Sequence, residues 1–156
     1  MSTMGKKLDE LDIKILTELQ KDATISYKNL SKKIGAPEST IYDRTKRLKD
    51  LGIIKAILPL LDSRKCGKEI TAYVRVSIKN ISELGDIAKE IAKIDEVLEV
   101  HEISGEWDML LKVKVENVKK LRDLEIEKIG RIDGIHGLYS LIAINTVKED
   151  IRIKLD

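Results

Sequence analysis

Apolar residues in the first third of the chain recur at helical spacing in short segments. The stretch LDELDIKILTELQKD predicts a first helix, because helical spacing places five apolar residues on one stripe: Leu8, Leu11, Ile15, Leu16 and Leu19. Ser26 can cap a second helix, in which Leu30 and Ile34 lie one turn apart, and Gly35 can end it. Two short helices joined by a tight, glycine-containing turn are typical of a helix-turn-helix.

The third segment, GAPESTIYDRTKRLKDLGIIK, predicts a polar helix that begins with Pro37 at its first position and ends at Gly52. A narrow seam at positions i, i+4 and i+7 faces the first two helices: Ile41, Thr45 and Leu48. The other side chains point outward, with Arg44 at the flank: Ser39, Thr40, Tyr42, Asp43, Lys46, Arg47, Lys49 and Asp50. Such a face fits the DNA major groove, where Lys and Arg neutralise phosphates. The alternative is a solvated helix in a three-helix cluster.

The segment IIKAILP predicts a strand that ends at Pro59. The polar stretch LDSRKCGKE then resembles a connection between domains. We therefore predict a helix-turn-helix domain over residues 1–58, a linker over 59–68 and a second domain over 69–156.

The second half changes to strand periodicity. EITAYVRVSIK alternates strictly, with one face formed by Ile70, Ala72, Val74, Val76 and Ile78. The pattern continues as helix, strand, strand, helix and strand over ISELGDIAKEIAKID, VLEVHEIS, WDMLLKVKVE, VKKLRDLEIEKIGRID and IHGLYSLIAINTV. Gly105-Glu106 separates the middle strands, as in a hairpin. The order β-α-β-β-α-β is the ferredoxin-like arrangement, so we predict an α+β chain with a winged-helix-like N-terminal domain.

The last predicted strand is apolar on both faces. One face can pack on the helices, whereas the other needs a cover, and a second copy of the chain can provide it. We therefore expect a homodimer whose sheets pack together near Tyr73, Leu110 and Leu141. Two recognition helices related by a two-fold axis would read a palindromic DNA site.

Charge supports a division of labour between the halves. Residues 1–68 hold 15 Lys and Arg against 9 Asp and Glu, whereas residues 69–156 hold 14 against 18. No apolar run is long enough to cross a bilayer, and the N-terminus has no apolar signal segment, so we expect a cytoplasmic protein without a membrane partner. Cys66, His101 and His136 have no zinc-site spacing, and no catalytic set is apparent; we expect no metal and no cofactor.

The chain resembles the Lrp/AsnC (leucine-responsive, feast/famine) transcriptional regulators over residues 8–148. The resemblance rests on LDELDIKILTELQKDATISYKNLSKKIG, STIYDRTKRLKDLGIIK and the hairpin GEWDMLLKV. It implies an N-terminal DNA-binding domain and a C-terminal ACT-like domain, often called RAM. It also implies dimers that assemble into tetramers or octamers, an amino-acid effector bound between dimers, and repression of the protein's own gene.

The resemblance assigns DNA binding to the residues that occupy the family's recognition helix: Ser39, Thr40, Tyr42, Arg44, Lys46 and Arg47. Two positions depart from the family's pattern. Many members have a capping Ser where Pro37 stands, which leaves Ala36 as a poor cap. Many have a basic residue where Asp43 stands, so the preferred DNA sequence does not transfer.

The family's effector pocket lies around the hairpin and a neighbouring subunit. The family's Gly-x-x-Asp matches Gly105 and Asp108, whose backbone and carboxylate would hold an amino acid's carboxylate and ammonium groups. The resemblance also places Ser104, Trp107 and Val118 in the pocket wall. A hairpin without a ligand is the alternative reading of the same residues.

Two other functions are compatible with this architecture. Sirohaem decarboxylases resemble the same two-domain fold, and His101, His136 and Arg75 could contribute to such an enzyme's pocket. An architectural protein would wrap DNA with little sequence preference. The basic recognition helix favours the sequence-specific regulator, so we expect no enzyme activity.

Overall fold

A computed structural model describes residues 8–155, which form two compact units. The first contains the described residues up to Pro59 together with those from Glu149 onward, and the second is Leu60–Lys148. Within residues 8–155, no helix is long and apolar enough to cross a membrane.

The first unit is a cluster of three helices: α1 (Glu10–Lys21), α2 (Tyr27–Ile34) and α3 (Glu38–Asp50). Its buried apolar core contains residues from all three: Ile15, Leu16, Leu30, Ile41 and Leu48. Leu8, Leu11 and Leu19 pack against this core, so the stripe predicted for α1 is confirmed. Thr45 is also buried, and its hydroxyl donates to the Ile41 carbonyl at 2.8 Å, which satisfies the one polar group in the α3 seam.

Local caps set the helix-turn-helix geometry. Ser26 caps α2 as predicted, its hydroxyl accepting from the Asn29 N–H at 3.2 Å. Gly35 ends α2 with φ of 80°, a left-handed conformation that glycine adopts without a steric penalty. The predicted start of α3 is wrong by one residue: Pro37 is the N-cap rather than the first helical residue, because its ψ of 143° is extended. Ala36 is therefore not the cap.

The predicted strand over IIKAILP is absent. No strand is assigned between α3 and Ile70 in the described residues, and Leu58 is 80% exposed. A strand requires a hydrogen-bonded neighbour, which this segment lacks within the described chain.

The C-terminal segment 149–155 packs with the first unit, not with the second domain in which we placed it. The Gln20 side-chain amide donates to the Ile153 carbonyl at 3.0 Å and accepts from the Ile153 N–H at 2.8 Å. Leu155 packs against the three-helix core. The chain therefore passes between the two units twice.

The second unit is a four-stranded sheet with helices on one face. Its elements are β1 (Ile70–Ile78), α4 (Leu84–Ile91), β2 (Val97–Glu102), β3 (Met109–Val115), α5 (Val118–Asp123) and β4 (Ile135–Ile142). The helical path of α5 continues with a wider turn and a tighter turn to Arg131. Adjacent strands are antiparallel in the order β2-β3-β1-β4, which is the predicted ferredoxin-like topology.

The alternation predicted for β1 is confirmed, since Ala72, Val74 and Val76 are fully buried. They join a core of twelve buried apolar residues with β3, α4 and the α5 path. Two boundaries differ from prediction. The β2–β3 connection spans residues 103–108 rather than two residues, and β4 ends at Ile142 rather than near Val147.

Candidate nucleic-acid interface and effector site

The solvent face of α3 carries four of the predicted DNA-binding residues. Ser39, Tyr42 and Lys46 are exposed, and Thr40 is half-buried beside them. The Tyr42 ring meets the Tyr27 ring of α2 edge to face, with centroids 5.5 Å apart. That contact orients an aromatic side chain which is still 49% exposed, so part of Tyr42 remains available to a partner.

The Arg44 and Arg47 side chains do not extend into solvent with the other four. Both guanidinium groups turn toward the start of α1, where Arg44 Nη1 pairs with Asp9 and lies 3.2 Å from Asp12 Oδ1. Arg47 Nη2 lies 2.5 Å from Asp12 Oδ2. The expectation that Arg47 points outward is therefore wrong, because buried carboxylate charge on α1 attracts both cations.

The Asp9 carboxylate has two tasks. Its Oδ1 accepts from the Asp12 N–H at 2.9 Å, which caps α1, while its Oδ2 pairs with Arg44. The hydrogen bond from Arg44, followed by that from the Asp12 backbone, lowers the pKa of Asp9 below its usual value. Arg44, in return, has its pKa raised, chiefly by its hydrogen bonds to Asp9 and Asp12.

The exposed positive charges of the candidate interface are lysines, whereas Asp43 and Asp50 are exposed acids on α3. Lys46 and Lys49 project from α3, and Lys28 and Lys32 project from α2. Sequence reasoning missed the α2 lysines, because the predicted DNA-binding residues all came from the recognition helix. The first helix of a helix-turn-helix crosses the DNA backbone, and that rule could have identified them.

At the candidate effector site, Asp108 is hydrogen-bonded to the end of strand β1. Its Oδ2 accepts from the Ile78 N–H at 2.9 Å, where the β1–β4 register shifts. Its own N–H donates to the Val76 carbonyl at 3.0 Å, and its carbonyl accepts from the Ile103 N–H at 3.0 Å. Asp108 therefore anchors the 103–108 loop, a role that the sequence did not indicate.

The loop itself is open. Ser104 and Gly105 are exposed, and Gly105 has φ of 137°, a conformation that side chains other than glycine rarely adopt. A Cβ at Gly105 would meet no atom within 4 Å. The glycine therefore serves the backbone conformation in this chain, and it leaves the adjacent peptide groups accessible.

Trp107 belongs to an aromatic cluster on the sheet surface opposite the helices. Its ring centroid lies 6.0 Å from that of Tyr139 on β4. The Arg75 guanidinium sits over the same Tyr139 ring at 5.6 Å, a cation–π distance. Sequence reasoning missed this grouping, because β1 and β4 become neighbours only in the folded sheet.

Val118 does not join the other predicted effector residues within one subunit. The 103–108 loop precedes β3, whereas Val118 follows it at the start of α5. At about 3.4 Å per residue, the seven residues of β3 separate the two positions by roughly 20 Å.

The residues recruited for an enzyme are also apart. His101 lies on β2 and His136 on β4, the two edge strands of the sheet. Two strands intervene, which corresponds to roughly 14 Å at the usual strand spacing. No group of three or more metal-ligating side chains was found among residues 8–155.

Comparison with known families covers both units. Residues 8–55 match the family model for a winged helix-turn-helix DNA-binding domain. Residues 71–153 match the family model for the Lrp/AsnC ligand binding domain.

Similar proteins span essentially the whole chain. The HTH-type transcriptional regulator FL11 of Pyrococcus horikoshii is 32% identical over 97% of this chain and 99% of its own length. The transcriptional regulator AzlB of Bacillus subtilis is 34% identical over 98% of this chain and 99% of its own.

Solved structures agree with this assignment. The E. coli AsnC structure superposes with a TM-score of 0.85 at 25% identity, covering 92% of this chain and 96% of that one. The Neisseria meningitidis regulator NMB0573 in complex with L-Met has a TM-score of 0.88 at 26% identity, with 96% and 98% coverage. The helix-turn-helix with its exposed α3 face, the ferredoxin-like unit and these full-length relatives together show that the chain belongs to the Lrp/AsnC family of transcriptional regulators.

Proposed function

We propose that the protein binds a palindromic operator, including one upstream of its own gene, and that an amino acid adjusts this binding. The observation that carries the proposal is the polar, solvent-exposed face of α3, which follows a helix α2 that Ser26 caps and Gly35 ends. Ser39, Thr40 and Tyr42, in the first turns of α3, would meet base edges. Lys46 would neutralise phosphates together with Lys28 and Lys32.

A homodimer would supply the two-fold symmetry that a palindrome requires. The sheet face opposite the helices supports it, because that face exposes apolar side chains on adjacent strands. Tyr73 and Leu141 are register partners that are 37% and 38% exposed. Leu110 lies on the same face, one strand away. The cytoplasm is the compartment that such a regulator needs, and dimers would assemble further into tetramers or octamers.

The effector would bind at the 103–108 loop. Gly105 leaves peptide groups open to a ligand carboxylate, and the Asp108 carboxylate offers charge to an ammonium group. Since Val118 is roughly 20 Å away in the same subunit, it could line the pocket only from a neighbouring subunit. The L-Met complex of the Neisseria regulator supports an amino acid as the ligand class.

The first test is a gel shift on the DNA upstream of the protein's own gene, beside random DNA of equal length. Selective binding that weakens steeply with salt is expected, since several phosphates would be neutralised. Equal affinity for both DNAs would indicate an architectural protein instead. No binding at low salt would contradict the proposal, and copurified tetrapyrrole absorbance would then favour the enzyme alternative.

The effector test separates the two tasks of Asp108. Asp108→Asn keeps an oxygen that can accept from the Ile78 N–H, but it removes the charge. Asp108→Ala removes both. L-methionine and pooled amino acids should shift the wild-type gel pattern, and both variants should lose that response, while Asp108→Asn keeps wild-type thermal stability. A retained response in Asp108→Asn would contradict the ammonium role.

A further inference from the structure

Two carboxylates at the start of α1 meet two arginines of α3. The Asp12 side chain is only 1% exposed, so its charge is almost fully removed from water. It accepts from the Asp9 N–H at 3.2 Å, which completes a reciprocal cap with Asp9. We call Asp9, Asp12, Arg44 and Arg47 the α1–α3 charge cluster.

Both arginine side chains are held in this cluster by hydrogen bonds and partial burial. Arg44 donates to both carboxylates and Arg47 to Asp12, leaving each arginine side chain only about one-third exposed, 33% and 37%. Arg47 Nε is buried without a hydrogen-bond partner among the described residues. A guanidinium free to swing toward DNA would not have its inner nitrogen enclosed by the protein.

We propose that the α1–α3 charge cluster positions the recognition helix, so that Arg44 and Arg47 are positioning residues that make no phosphate contact. The proposal rests on the DNA-binding role of α3 proposed above. It divides the six family-matched positions into two sets. Ser39, Thr40, Tyr42 and Lys46 would contact DNA, and the two arginines would hold α3 in place.

The charge cluster is needed because apolar packing alone does not fix the rotation of α3. The buried seam of α3 is a single line of three residues. Such a narrow contact allows small rotations and shifts of the helix along its axis. A buried carboxylate does not tolerate loss of its cations, because its charge would be left uncompensated. The cluster therefore sets the rotation of α3 about its axis, which decides where Ser39, Thr40 and Tyr42 point.

The salt dependence of operator binding distinguishes holding from contact. Each phosphate neutralised contributes about −0.9 to the slope of log affinity against log salt. Lys46→Gln should reduce the slope by about one such contribution. Arg47→Gln should lower operator affinity about tenfold and leave the slope unchanged, since it removes no phosphate contact. A slope reduced equally by both variants would overturn the proposal.

A paired replacement gives the second test. Asp12→Leu alone leaves both arginines without their buried partner, and it should lower operator affinity and the unfolding temperature. Asp12→Leu combined with Arg47→Leu replaces an ion pair by apolar groups, which is commonly tolerated. The double variant should recover binding to within about threefold of wild type. Binding as weak as that of Arg47→Leu alone would mean that Arg47 meets DNA directly.

These tests separate the proposal from the function on which it rests. If the wild-type protein bound no DNA, the operator function would fail, whereas thermal unfolding would still decide the role of the cluster. A double variant more stable than either single variant supports the cluster. Losses that simply add would overturn it, because residues that do not interact give additive losses.

Discussion

The second unit buries twelve apolar side chains between its sheet and its helices, whereas the described residues of the first unit include five. The difference extends to polar groups. Asp12 and Thr45 are the polar or charged residues that the described structure buries, and both belong to the first unit. The small unit therefore supplements its core with directed interactions: the α1–α3 charge cluster, the helix caps and the Gln20 contacts to the C-terminal segment.

This contrast follows from size, because a small unit removes a smaller fraction of its surface from water than a large one. Directed bonds also have a consequence that apolar packing lacks, since they hold only at particular distances and angles. Among the described residues, the unit that presents α3 is the one that buries a charged side chain and its directed bonds. The buried core of the sheet unit is apolar.

The largest effect is expected from core truncation in each unit. Ile41→Ala and Leu111→Ala each remove a fully buried side chain, at a cost of about 2–5 kcal/mol in unfolding free energy. With five buried apolar residues in its described part, the first unit should unfold locally in Ile41→Ala and lose operator binding. Hydrogen exchange should show unprotected α1–α3 amides and a protected sheet.

The control for this pair is Leu58→Ala, a truncation of a side chain that is 80% exposed, and its protection pattern should match wild type. Loss of sheet protection in Ile41→Ala would show that the two units unfold together, and the contrast between them would then be void.

A smaller loss is expected when the charge of the cluster is removed. Asp12→Ala should lower the unfolding free energy of the first unit by about 1–3 kcal/mol, because it strands hydrogen-bonding groups of Arg47 and Arg44. Urea denaturation followed by hydrogen exchange would measure it. Exposed Asp50 on α3 provides the matched control, where Asp50→Ala should change stability by less than about 0.5 kcal/mol.

The C-terminal segment should contribute less again. Leu155→Ala should destabilise the first unit by about 1 kcal/mol, since the side chain is only partly buried against the core. Exchange rates in α1 would report the change, and rates in β1 and β3 should not move. Ile151→Ala, at a 76% exposed position of the same segment, should be neutral. An altered sheet would contradict the assignment of this segment to the first unit.

The smallest effect is expected on the stability of the first unit at low pH. Because the hydrogen bond from Arg44 holds the folded-state pKa of Asp9 below the ordinary value of 3.8, the stabilising contribution of its carboxylate is fully present above that ordinary value. It is lost as the pH falls through the lowered pKa, when the unfolded state binds the proton more readily. Asp9 faces Arg44, Arg47 and Asp12 in this cluster.

Thermal unfolding of Asp9→Asn between pH 5 and 2 should show a shallower acid decline in the first unit, with the cap retained by the Asn oxygen. Glu99→Gln provides the comparison in the second unit, where a hydrogen bond from His101 lowers the pKa of Glu99. It should alter the acid response of the sheet alone. An unchanged decline in Asp9→Asn would show that other carboxylates carry the acid sensitivity.

Features determined over short stretches were readable from the sequence. The 3.6-residue stripe of α1, the Ser26 cap, the Gly35 stop and the alternation of β1 all appear in the structure, because each depends on residues within a few positions of one another. The order of strands followed from the order of elements, since ferredoxin-like topology is the common solution for that sequence of strands and helices.

Only the tertiary structure determined which charged side chains pair and which predicted strands find a neighbouring strand. Arg47 lies 35 residues from Asp12, and Asp108 lies 30 residues from Ile78, so no periodic pattern could reveal either pair. The segment after α3 has the composition of a strand, but no strand among residues 8–155 pairs with it. Amphipathic periodicity tells which side of an element faces inward, whereas a partner for a charge or a strand edge exists only once distant segments meet.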